Sequence, residues 1–212
     1  MKYKRDFITY FSGFPLFTFS DVRLFLSKHG ASYDYSRKLI SLMLQRGELY
    51  RVTKGYYTTN SDLTVAGYAF KPFYYGLGFA LSYYGLSNQG YNLTIITTKN
   101  VREGVRSIFG ANVVINKIQK DLFFGYNDVP TQTFHYYISD VEKTFADMLH
   151  FEHVVEDYVY ENIFKRINTA KMKEYLKCYG KKAAGRYAEL ERQFGIPGKG
   201  RKRQALAKIV NP

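Results

Sequence analysis

Five polar side chains in one short stretch fall on a single helical line. Asp34, Arg37, Lys38, Ser41 and Gln45 stand at i, i+3, i+4, i+7 and i+11, the spacing of one helix face. Arg and Lys donate to guanine edges and phosphates, Gln pairs with adenine, and Ser serves either. That set is suited to reading duplex DNA. Tyr33 or Tyr35 lies beside it, and Arg51 and Lys54 follow on a predicted hairpin where they can meet phosphates. A solvated basic face is the plainer explanation of the same residues.

Other candidate chemistry is weaker. Asp140, Glu142, Lys143 and Asp147 cluster within eight residues, which suggests a catalytic carboxylate–lysine set. Glu142 and Lys143 are adjacent, however, so on a helix they diverge, and a helix cap plus one carboxylate explains the group. His150 and His153 stand at i and i+3, without the His-Glu-x-x-His pattern of a zinc site. No Ser-His-Asp or Cys-His set follows from spacing. Gly76-x-Gly78 lacks the third glycine of a dinucleotide loop and follows no predicted strand. No cofactor is expected, and no metal.

The elements that position the polar stripe are legible. Thr18 and Asp21 have the spacing of a capping box, with Asp in place of Glu. Val22, Phe25 and Leu26 make one apolar stripe, and Gly30 suits the left-handed residue that ends a helix. Ser32 caps a second helix running to Arg46 and Gly47. Its inward face is Leu39, Ile40, Met43 and Leu44. Leu49-Tyr50, a Thr53-Lys54-Gly55 turn and Tyr56-Tyr57 read as a hairpin. Helix, turn, helix and hairpin together make the winged helix-turn-helix pattern, whose second helix enters the major groove.

Charge is uneven along the 212 residues. Residues 1–58 hold ten Lys or Arg against four Asp or Glu, residues 59–160 seven against ten, and residues 161–212 fourteen against four. The net +13 is thus concentrated at the two ends, which implies two polyanion-facing surfaces on a near-neutral body. In the last section Lys171, Lys173, Lys177, Lys181, Lys182 and Arg186 form a second candidate nucleic-acid or partner surface. Gly198–Arg203 reads as a basic arm. The single cysteine, Cys178, excludes an intrachain disulfide and fits a reducing compartment. No apolar run nears the roughly 18 residues of a membrane span, and MKYKRDFITYF has no leader-like apolar core. A cytoplasmic protein with no membrane partner is expected.

The middle of the chain reads as a linker from residue 61 and then a buried helix over Phe73–Gly85. Strands are predicted at Tyr91–Thr98 and Asn112–Ile118. A further pair, Asp121–Tyr126 and Thr133–Ile138, flanks an Asn127–Pro130 turn, and residues 100–106 are a loop or short helix. Ser139 and Glu142 suggest a capping box. Asn168 and Thr169 cap a helix to Tyr179, and Gly180 separates it from a second one, Lys181–Phe194. The Tyr pairs of this region can stack on bases, but their near-neutral setting favours a core role. The fold class is therefore α+β. A winged helix-turn-helix (1–59) is followed by a mixed α/β domain with a small sheet and a basic, helical end (60–212).

These elements, in this order, resemble the AbiEi-type antitoxins, predicted transcriptional regulators of viral defence systems. The resemblance lies in Phe17-Thr18, Asp21-Val22, Met43–Val52 and Lys54–Tyr57. It continues through Ala80–Leu86, Thr94–Thr97, Ser139–Asp147 and Tyr179–Lys182. It implies a non-enzymatic repressor of its own operon at inverted-repeat DNA, opposing a nucleotidyltransferase toxin. The alternative is a nucleic-acid-processing enzyme that the N-terminal unit targets to its substrate.

Overall fold

The computed structural model describes residues 2–195, so the Gly198–Arg203 arm lies outside the described residues. The chain is mixed α+β, with one small antiparallel sheet and one larger mixed sheet.

The N-terminal part comprises α1 (Lys4–Phe11), β1 (Phe17–Thr18), α2 (Phe19–Ser27), α3 (Tyr33–Gln45), β2 (Tyr50–Thr53) and β3 (Tyr56–Thr58). The Thr18–Asp21 capping box is present in full: Thr18 Oγ1 accepts from Asp21 N and the Asp21 carboxylate accepts from Thr18 N. Gly30 turns the chain at φ 74°, and Ser32 Oγ then accepts from Tyr35 N at 3.2 Å to start α3. Lys54-Gly55, with Gly55 at φ 81°, joins the hairpin strands, and β1 closes them into a three-stranded sheet in the order β1-β3-β2. Helix α1 was not anticipated. Phe7 and Phe11, one turn apart, are buried among Phe17, Val22, Leu39 and Met43. A two-turn helix carries too few periodic positions to stand out in sequence.

The remainder is built on six strands: β4 (Phe73–Tyr75), β5 (Leu93–Thr97), β6 (Gly104–Ile108), β7 (Ala111–Lys117), β8 (Tyr126–Pro130) and β9 (His135–Ser139). Their order is β6-β7-β5-β4-β9-β8, parallel at β5/β7 and β4/β9 and antiparallel elsewhere. Helices α4 (Leu77–Tyr83), α5 (Val141–His150), α6 (Asp157–Arg166) and α7 (Thr169–Phe194) complete the fold, with a 3-10 segment at Leu63–Phe70. Tyr74 and Ile96 pack with α5, α6 and α7, whereas Phe73, Tyr75, Ile95, Val113 and Ile115 pack with the 3-10 segment. Val52 of β2 joins that second cluster, and β2 also meets β6. The hairpin is therefore docked on the sheet.

Five local expectations are corrected. Phe73–Tyr75 is a strand rather than the start of a helix, because a run apolar on all sides fits a strand buried on both faces equally well. Residues 61–72 are largely the 3-10 segment rather than a linker. Residues 104–108 form edge strand β6, joined to β7 through Phe109 and Gly110, both at positive φ; Phe is an unusual first residue for such a turn. The expected Asn127–Pro130 turn is itself strand β8. The chain reverses instead at residues 131–134, where Thr131 Oγ1 accepts from Phe134 N at 3.0 Å, and Pro130 is tolerated because β8 is a sheet edge. Finally, the cap of α5 is Asp140, whose carboxylate accepts from Lys143 N at 2.7 Å. Glu142 instead accepts from Asn168 N at 2.7 Å, at the head of α7.

Candidate nucleic-acid interface

Helix α3 turns Leu39, Ile40 and Met43 inward, and Asp34, Arg37, Lys38, Ser41 and Gln45 are all exposed on its other side. Among the described residues none of these five has an ion pair within the chain. Tyr33 lies at the head of the stripe, half exposed. The Arg23 guanidinium of α2 sits 4.9 Å from its ring centroid and that of Arg37 5.9 Å. Arg23 thus joins the same surface, which spacing within α3 alone does not reveal. Tyr35 is directed elsewhere: its hydroxyl accepts from Tyr3 N at 3.2 Å and its ring meets the Tyr3 edge.

The hairpin presents Arg51 and Lys54 to solvent. It is braced at its base, where Lys4 Nζ donates to Glu48 Oε1 at 2.6 Å. Lys99, from the loop after β5, lies 5.9 Å from the Tyr56 ring centroid and donates to Ala69 O. It adds a cation beside the hairpin that only tertiary packing supplies.

The C-terminal cations divide into two sets. Lys171 pairs with Asp140 at 3.0 Å and Glu142 at 3.2 Å, and these bonds outweigh its partial burial to raise its pKa. Lys182 and Arg186 both hold Glu152 at 2.7 Å, and their hydrogen bonds lower its pKa to about 2. Lys173, Lys177 and Lys181 are exposed, without an ion pair among the described residues.

The catalytic candidates are committed to the fold. Lys143 and Asp147 are fully buried and paired at 2.5 Å. Tyr74 donates to Asp147 Oδ2 at 2.8 Å, Tyr179 donates to Oδ1 at 2.5 Å, and Lys143 also donates to the Tyr179 hydroxyl. Burial lowers the Lys143 pKa and raises that of Asp147, and their mutual attraction opposes both shifts. Asp140 is occupied as the α5 cap and by Tyr175 and Lys171. His150 is exposed and His153 partly buried. Among the described residues no group of three or more His, Cys, Asp or Glu is placed to hold a metal, and no helix is long and apolar enough to cross a membrane.

Gly76-x-Gly78 does follow a strand, β4, contrary to expectation, and opens α4. Both glycines are there for packing: an added Cβ would lie 2.6 Å from Ile96 Cδ1 at Gly76 and 2.4 Å from the Tyr91 ring at Gly78. No family model matches the chain, and no curated protein matches it.

Proposed function

We propose that residues 1–59 form a winged helix-turn-helix that binds duplex DNA and that residues 60–212 form the α/β body attached to it. In this reading α3 enters the major groove, where Arg37, Lys38, Ser41 and Gln45 address bases and phosphates. Arg51 and Lys54 of the hairpin follow the backbone. The observation that carries the reading is the outward face of α3. It combines a row of polar and cationic side chains that make no ion pair among the described residues, on a helix fixed by a sharp turn and a cap. The resemblance to AbiEi-type antitoxins extends the proposal to a cytoplasmic transcriptional repressor acting at inverted-repeat operator DNA and opposing a nucleotidyltransferase toxin.

The test is selection of a preferred duplex from a random pool, followed by titration of Arg37→Ala. A side chain that reads a base contributes about 1–3 kcal/mol of discrimination. The variant should therefore lose roughly tenfold or more on the selected site and little on random duplex. Equal loss on both assigns Arg37 to phosphate alone. No enrichment of any sequence by the parent chain overturns sequence-specific binding. The antitoxin half is tested by the gene neighbourhood: a nucleotidyltransferase gene beside this one would support it, and its absence would leave a stand-alone regulator.

A further inference from the structure

The six-stranded sheet has the N-terminal hairpin on one side and α7 on the other. Side chains of a strand alternate between faces. Phe73, Tyr75 and Ile95 meet the 3-10 segment and Val52 of the hairpin, while Tyr74 and Ile96 meet α5 to α7. The N-terminal unit therefore packs on one face, at the β6 edge, and α7 belongs to the layer on the other.

On α7 the internal carboxylates neutralise Lys171, Lys182 and Arg186 and leave Lys173, Lys177 and Lys181. Lys173 and Lys177 are one turn apart, about 6 Å along the axis. That matches roughly two phosphate steps of a duplex strand, about 7 Å along its axis. Lys181 comes four residues later, beyond Gly180, whose φ 79° and ψ −176° break the helix there. Glu174 is the single carboxylate of α7 before Glu189. Residues 196–212 add five Lys or Arg and no Asp or Glu to the charge of this end.

The chemistry of the row selects its ligand. No large hydrophobic side chain of α7 is exposed, so the surface lacks both the apolar anchors of a protein interface and the stacking platform of a single-strand site. Lysines alone hold phosphates as point charges and read no sequence.

We propose that Lys173, Lys177 and Lys181 bind the backbone of a second duplex segment, so that one molecule bridges two stretches of DNA. This rests on the reading of α3 as the first DNA contact. The test uses the full chain, an immobilised duplex bearing the selected site, and a labelled duplex of unrelated sequence. The parent should capture the labelled duplex. The triple variant K173E/K177E/K181E, with unchanged melting temperature, should hold the immobilised site within twofold but capture at least tenfold less of the second. Cys178 gives a local readout, as an exposed thiol between Lys177 and Lys181. Its modification by a thiol reagent should stay fast with one equivalent of site duplex and slow when the unrelated duplex is added.

A variant that loses site affinity together with capture overturns the proposal, because the row then extends the α3 contact on the same duplex. Capture unchanged in the variant removes the row from DNA altogether. A parent that binds its site but captures nothing overturns bridging alone. A parent that binds no duplex overturns the α3 reading with it.

Discussion

Helices α3 and α5 begin alike and end up opposite in their use of charge. Each starts on a short polar side chain that accepts from the backbone N–H three residues on, Ser32 in α3 and Asp140 in α5. Each carries Lys, Asp and hydroxyl residues among apolar ones. In α3 Asp34, Arg37, Lys38, Ser41 and Gln45 are exposed and, among the described residues, make no ion pair, while Ser36 is buried and donates to Ser32 O at 3.1 Å. In α5 every residue from Glu142 to Leu149 is buried, and the polar ones find partners inside: Lys143 with Asp147 and Tyr179, Thr144 with Ser139, Glu142 with Asn168. Burying a charge is costly unless it is paired and hydrogen-bonded, so the charges of α5 are consumed by the fold. Those of α3 remain available to a partner, and for that reason the functional proposal rests on α3 although α5 has the denser cluster of reactive residue types.

The sharpest break of this contrast is Lys143→Ala. It leaves Asp147 buried without its cation, which costs about 3–5 kcal/mol in comparable sites, read by denaturant unfolding. The sign with pH is also fixed. Burial holds the Asp147 pKa above its unfolded value, more so without Lys143. A raised folded pKa contributes stability at pH below the unfolded value that is lost as pH rises. The variant should therefore recover part of its deficit in acid. A loss under 1 kcal/mol at neutral pH means the cluster is not sealed from water.

The two caps sharpen the comparison at smaller scale. Ser32→Ala removes one capping bond, worth about 1 kcal/mol. Asp140→Ala should cost more, since Asp140 also accepts from Tyr175 at 3.0 Å and pairs with Lys171. Equal losses would show that these additional contacts contribute little. Arg37→Ala on the exposed face of α3 should shift stability by no more than about 0.5 kcal/mol, even where DNA affinity falls.

How much of this was legible follows from where each signal lies. The α2–α3 turn, both caps of the N-terminal unit and its hairpin depend on neighbours within a few residues, so spacing and turn chemistry suffice. The break in α7 at Gly180 was legible for the same reason, since its backbone at φ 79°, ψ −176° is open to little but glycine. The exposure of the α3 stripe followed from periodicity. The Asp140 cap is not legible locally because Ser139 and Glu142 offer the more familiar box, and what draws Glu142 away is Asn168, 26 residues on. Arg23, Lys99 and the division of the α7 cations into spent and available are tertiary facts with no local trace. Strand β6 was hidden because an edge strand with Arg106 and Ser107 exposes polar groups and lacks the apolar run of a central one.

His153, just beyond α5, offers the smallest and most local test. Its ring is partly buried near Tyr91, and its Nε2 is buried without a hydrogen-bond partner. Desolvation lowers its pKa from 6.5, because a charged imidazole loses more than a neutral one on leaving water. Glu156 and Gln89 line the same cleft, but neither bonds to the ring. A lowered folded pKa means that the stability gained from the neutral ring is present above pH 6.5 and lost as pH falls through the folded value. The parent should therefore melt at progressively lower temperature below about pH 6.5, and His153→Phe should flatten that part of the curve while leaving the Asp147-dependent behaviour intact. Superimposable melting curves of parent and variant between about pH 7 and 5 would mean that water reaches Nε2. The contrast between a partnered and an unpartnered buried group would then rest on Asp147 alone.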